Sequence, residues 1–107
     1  MKRAILRPQA RADVKAEVRY YRQHAGRPTA DKLAQAIDNA LQLLQFEAGI
    51  GSSRIGELLD IPDLKNWRLT GFPLILLYFE REDFLDVVRL LGERQDIPTI
   101  LGNNSSD

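Results

Sequence analysis

Hydrophobic and polar positions fall into stretches of different period along this chain. Residues 4–7 form a brief apolar stretch that stops at Pro8, the pattern of a short strand. From Gln9 the period becomes helical. Ala10, Val14, Val18 and Tyr21 recur at helical spacing on one face. Arg7, Arg11, Lys15, Arg19 and Arg22 repeat at the same spacing on another face. Asp13 and Glu17 fall between them, placed to pair with neighbours one turn away. Gly26 stops this helix, since glycine accepts the backbone angles of a C-cap. Pro28 and Thr29 suit the opening of a second helix. Its stripe is Leu33, Ile37, Ala40, Leu41 and Leu44, ending at Phe46. So short a link makes the two helices antiparallel neighbours, a hairpin over residues 10–46.

The second half reads as strands. Residues 48–53 are a loop by composition, and Ile61, Pro62 and Asp63 oppose regular structure before Asn66. Residues 67–69 alternate, Thr70 and Gly71 turn, and residues 72–80 form a strand. Residues 81–83 are a hairpin turn and residues 84–91 a further strand. Residues 97–101 could add a last half-turn or edge, and residues 102–107 read as a flexible polar tail. The expected fold is therefore α+β in the order β-α-α-β-β-β, a helical hairpin packed on a small antiparallel sheet. One domain covers residues 1–101. The stretch 72–79 is apolar on both sides of its strand, where a strand buried on one face would alternate. Either the tail covers the second face or a partner does, and the second choice makes it a protein-binding surface.

Composition removes many functions. The chain has 107 residues, 44% hydrophobic and 28% charged, ordinary values for a folded domain. It has no cysteine and a single histidine, His24, so thiol chemistry, disulfides and multi-histidine metal sites are excluded by counting. No metal or cofactor site is expected. The longest apolar run is eight residues, against the roughly 20 that a membrane helix needs. Arg7 and Arg11 interrupt any signal-peptide core, so a cytoplasmic location is expected. The net charge of zero hides a split: residues 1–46 sum to +5 and residues 47–107 to −5. Such an oriented field suits a charged partner, although basic helices also serve solubility.

Catalytic constellations are sparse. There is no phosphate-binding loop, and His24 reads as a helix-end residue beside the last carbonyls. Glu80, Glu82, Asp83 and Asp86 flank a hairpin and read as solvated turn residues. Arg68, Tyr78, Arg89 and Arg94 lie in the strand region. Converging on a sheet they could grip phosphate and assist RNA cleavage, but they lack an obvious general base. The plain alternative is surface arginines and a packed tyrosine. Trp67, the only tryptophan, is a core residue or a partner hot spot.

Several stretches taken together resemble one family. Leu6-Arg7-Pro8-Gln9-Ala10-Arg11-Ala12-Asp13-Val14, followed by Val18-Arg19-Tyr20-Tyr21, resembles the opening of ParE-type toxins. Phe46-Glu47-Ala48-Gly49-Ile50-Gly51-Ser52 resembles the loop after their second helix. Trp67-Arg68-Leu69-Thr70-Gly71-Phe72-Pro73 with Leu77-Tyr78 resembles their W-x-V-x-G-F-P…Y stretch. Val87-Val88-Arg89-Leu90-Leu91 with Asp96-Ile97-Pro98 resembles their last strand and C-terminal end. The resemblance runs over residues 5–101 and is to the RelE/ParE superfamily of type II toxin–antitoxin systems. One departure stands out. Many relatives carry histidine-glycine-x-arginine-aspartate after the last strand; here Gly92 takes the histidine's place and Gln95 the arginine's.

The resemblance implies a protein that inhibits DNA gyrase by binding, with no catalytic residues, neutralised by a ParD-like antitoxin in a hetero-oligomer. Sequence-specific nucleic acid binding and membrane association are not expected. Arg11, Lys15, Arg19, Arg22, Trp67 and Tyr78 are the candidate antitoxin contacts. Arg68, Arg89 and Arg94 are the candidate target contacts. The alternatives are a RelE-like ribosome-dependent mRNA endoribonuclease and a degenerate relative that binds its antitoxin without poisoning anything. The missing histidine and a pI near 6.6 both weigh against RNA as the target.

Overall fold

The computed structural model describes residues 1–104. Strand β1 (Arg3–Leu6) leads into helices α1 (Pro8–Ala25) and α2 (Arg27–Phe46). A short 3-10 turn (Ala48–Ile50) and helix α3 (Arg54–Leu58) follow. Strands β2 (Lys65–Arg68), β3 (Leu74–Glu80) and β4 (Phe84–Gly92) then complete a sheet, and helix α4 (Ile97–Asn104) closes the described chain. The sheet order is β1-β4-β3-β2. The expected α+β architecture holds, with one refinement. β2, β3 and β4 are antiparallel, but β1 joins β4 in parallel, so the sheet is mixed. The helical hairpin makes this possible, because it returns the chain to the far end of the sheet.

Gly26 separates the two helices with φ +91°, a value that side chains oppose, and its carbonyl accepts the Ala30 N–H at 3.1 Å. Thr29 makes no capping bond; Pro28 occupies the first turn, where its missing N–H is harmless. Ala10, Leu33, Ile37, Ala40 and Leu44 pack on Leu74, Leu76, Tyr78, Leu85, Val87 and Leu90 to form the main core. Val87 and Leu90 face the same side although they lie three positions apart, which plain alternation forbids. A β-bulge supplies the offset: Leu77 pairs with Arg89 and Tyr78 with Val87, leaving Val88 unmatched.

The second sheet face is covered by the chain itself. Leu64, Leu77, Val88, Leu91, Ile97 and Leu101 form a second core, joined by Ile55, Leu59, Ile61 and Phe79. Each large apolar side chain here would forfeit roughly 1.5–3 kcal/mol if left in water. The segment from α3 to Leu64 and helix α4 remove that penalty. The apolar run 72–79 therefore reflects burial between two layers, and a binding surface is not needed to explain it. β3 begins at Leu74, two residues later than expected, because Leu69 N–H bonds the Leu74 carbonyl across a turn that includes Gly71 at φ +84°. β2 begins earlier than expected, at Lys65. α4 takes in 102–104, where composition suggested a tail; 105–107 lie outside the described residues.

Candidate functional site

The sequence singled out nine side chains, and the fold divides them sharply. Arg11, Lys15, Arg19 and Arg22 are all exposed on α1. Among the described residues none of the four forms an ion pair. Arg7, the first member of the same stripe, turns away to Asp86. A shallow groove of about 390 Å³ lies at the start of the stripe, lined by Leu6, Pro8, Arg11, Ala12 and Lys15. Beside it runs the outer edge of the sheet. Arg7 N–H bonds Val87 O on the β4 side, and Lys2 N–H bonds Gln45 O on the opposite side. Backbone alternation then directs the polar groups of Ala4 and Leu6 outward, along an edge that no strand covers among the described residues. Ile5 and Phe46 add exposed apolar surface.

Tyr78 does not belong on a binding surface. It is 0% exposed in the main core. Its hydroxyl donates to the Ala48 carbonyl at 2.6 Å and accepts the Gly51 N–H at 3.1 Å. Burial pushes its phenol up from the ordinary value. Its bulk and bonds hold the loop after α2 onto the sheet. Arg89 is likewise withdrawn. It pairs bidentately with Asp13 on α1, and the two side chains are only 13% and 15% exposed. Tyr78 is on the helix-facing side of β3, inside the protein, while Arg89 stands opposite Leu77 and is held by Asp13; in both places the withdrawn polar groups are satisfied internally.

Arg68 is exposed but bound to Glu93. Trp67 is half-buried against the main core and also lines an open groove of about 710 Å³ with Lys32, Asn39, Leu43 and Phe72. It is both a core residue and a groove wall. Arg94 is exposed and has no ion pair among the described residues. Arg68, Tyr78, Arg89 and Arg94 are therefore not brought together as a phosphate grip: three of them are engaged elsewhere.

The turn after β4 closes on itself. The Gly92 N–H donates to Gln95 Oε1 at 2.5 Å, so the two residues that replace the expected histidine and arginine bond each other. Glu93 N–H bonds the Pro73 carbonyl at 3.0 Å, tying this turn to the start of β3. A groove of about 760 Å³ separates the turn from α1.

Sequence reasoning missed Asp86. It is 7% exposed, not solvated. Arg7 grips it at 3.0 and 2.9 Å, and Arg81 at 3.1 and 2.9 Å. The Arg7 hydrogen bond above all, then Arg81, holds this carboxyl below the usual carboxylate range against the opposing effect of burial. Arg81 also lies over the Phe79 ring at 4.4 Å. Asp86 sits inside an apolar strand run, and that position was the available signal. Asp13 pairs with Arg89 across the fold and not within its helix. Glu17 makes no ion pair among the described residues.

Comparison with known proteins decides the family. The profile described as "ParE toxin of type II toxin-antitoxin system, parDE" matches residues 4–97. The chain belongs to this ParE toxin family. A solved structure described as "Chromosomal ParDE TA system from P. aeruginosa" is similar to it in fold, with TM-score 0.71 and 20% identity. That likeness covers 86% of this chain and 96% of the other. No curated protein sequence matches significantly. For this ParE family member, the surfaces open to partners include the cationic face of α1 with the β1 edge, the Trp67 groove, and the groove at the Gly92–Gln95 turn. No helix among the described residues is long and apolar enough to cross a membrane.

Proposed function

We propose that this chain is a toxin that acts by binding, inhibiting DNA gyrase in the cytoplasm, and that a ParD-like antitoxin neutralises it in a hetero-oligomer. The observation that carries the antitoxin half is the α1 face. Four cations stand exposed there without an ion-pair partner among the described residues, beside a sheet edge with outward backbone groups. An extended acidic segment would find charge complementarity along the helix and hydrogen bonds along β1. Disordered antitoxin segments that order on binding have this chemistry.

Action by binding, without a chemical step, is supported by the dispersal of the cleavage candidates. A nuclease needs cations and a proton-transfer group around one phosphate. Here the tyrosine is in the core, and two of the three arginines are held by carboxylates. Gyrase as the target rests on family membership alone.

The test is plasmid supercoiling by purified gyrase with the protein titrated in. Inhibition, relieved by a ParD-like antitoxin, supports the reading. Folded protein without effect on supercoiling overturns it. Cleaved transcripts on translating ribosomes, seen by primer extension after induction, would replace it with the nuclease reading.

A further inference from the structure

The groove between α1 and the turn after β4 holds a partly buried carboxylate on the helix whose outer face exposes four cations. Its walls are Ala16, Glu17, Tyr20 and Tyr21 on one side, and Pro73, Leu74 and residues 92–95 on the other. Glu17 is half-buried and has neither a hydrogen bond nor an ion pair among the described residues. One turn away, Asp13 is already neutralised by Arg89. Glu93 is taken by Arg68. Arg94 lines the same groove, and among the described residues it forms no ion pair with Glu17.

We propose that this groove receives an arginine side chain presented by the protein the toxin targets, with the Glu17 carboxylate as its counter-ion and Tyr20 and Tyr21 as its aromatic wall. This rests on the reading that the chain acts by binding a protein. Four features point to that occupant. A carboxylate removed from water without a partner is relieved by a cation, and a guanidinium supplies two parallel donors. Tyrosine faces attract the same group. Tyr20 is 55% exposed, set edge-on to Tyr21 and 4.4 Å from the His24 ring, so the wall is pre-arranged and open. Residues 95–107 contain no lysine or arginine, so this segment offers no cation of its own.

Burial and the nearby Asp13 raise the Glu17 carboxyl above its ordinary value. A bound cation would lower it again. The outer face of α1 offers cations and this groove offers the Glu17 carboxylate, so the two faces suit different partners.

The experiment is an NMR titration of isotope-labelled protein with acetyl-arginine amide, paralleled by the neutral isostere acetyl-citrulline amide. Arginine should shift the amides of residues 16–21 and 92–95 and lower the Glu17 titration midpoint. Citrulline should bind about tenfold more weakly, the worth of one charge-assisted hydrogen bond. Glu17→Gln, with unchanged thermal unfolding as its fold control, should lose the preference. Absent shifts, equal shifts with citrulline, or an unaltered preference in Glu17→Gln overturn the proposal. Supercoiling is not the readout, so a groove that takes arginine in a protein without effect on gyrase separates the two readings.

Discussion

Arg89 on β4 pairs with Asp13 on α1, with Nε 2.7 Å from Oδ2 and Nη2 2.9 Å from Oδ1. The same Oδ2 accepts the Leu90 N–H at 3.0 Å. One carboxylate thus anchors the first helix to the last strand immediately past the bulge. Removing it strands a mostly buried guanidinium and a backbone N–H together. Asp13→Ala should therefore lose about 3 kcal/mol by urea unfolding, near the range for breaking a buried pair. Arg89→Ala should lose a similar amount. If Arg89 were a target contact, its removal would abolish toxicity in a protein of unchanged stability; we expect lost activity to track lost fold.

Gly51 is fixed by the Tyr78 hydroxyl. A Cβ at this position would overlap that oxygen and sit 2.9 Å from Cζ. Gly51→Ala should destabilise by about 1–3 kcal/mol, the usual range for overpacking. Tyr78→Phe leaves Ala48 O and Gly51 N–H without their shared partner and should lose about 1–2 kcal/mol. The double variant should lose less than the sum, because the overlap with the hydroxyl oxygen is gone, although Cζ, which phenylalanine keeps, still crowds the alanine. A double-mutant cycle with strict additivity would show the contact to be unimportant.

The fold was legible because its periods are clean. Ala10, Val14, Val18 and Tyr21 could only be a helix face, and Leu33 to Leu44 could only be another. The site was less legible, and the reason is visible at Arg89 and Arg22. Both are arginines near apolar neighbours. One is consumed by a carboxylate 76 positions away in sequence, and the other stands in solvent. Only tertiary pairing separates them. Tyr78 misled in the same way: a family motif residue need not be a contact residue. The covering of the second face was also hidden. Ile61 to Leu64 and α4 carry too few apolar positions to show a period, yet they bury the outer side of β3 and β4.

Asp86 makes the fold sensitive to acid. Its native carboxyl is held below the ordinary value of 3.8 by Arg7 first and Arg81 next. The folded state therefore binds this proton less readily than the unfolded chain. The stabilisation is complete above the unfolded value and is lost as pH falls through the lowered native one. Asp86→Asn should flatten the pH dependence of stability below about pH 4 and lower stability at pH 7 by about 1–2 kcal/mol. Both arginines are nearly half exposed, which keeps the figure small. A wild-type-like acid limb in the variant would assign the effect to other carboxylates.

The cationic face of α1 is a prediction about rates and salt. Arg11, Lys15 and Arg19 lie at one-turn intervals with no internal partner, so each is available to an incoming anionic segment. A rim charge of this kind contributes roughly 0.2–1 kcal/mol and acts mainly on association. Replacing the three with alanine should weaken binding of an acidic ParD-like segment about tenfold at low salt, chiefly through slower association. Raising the salt should erode the difference, because exposed charges are screened beyond about 8 Å at physiological ionic strength. Stability should change little, since these side chains hold nothing inside the fold. Surface plasmon resonance across a salt series reads all three quantities. Equal association rates for the triple variant and the parent at low salt would move the antitoxin off α1, to the Trp67 groove, which carries only one lysine and would show almost no salt dependence.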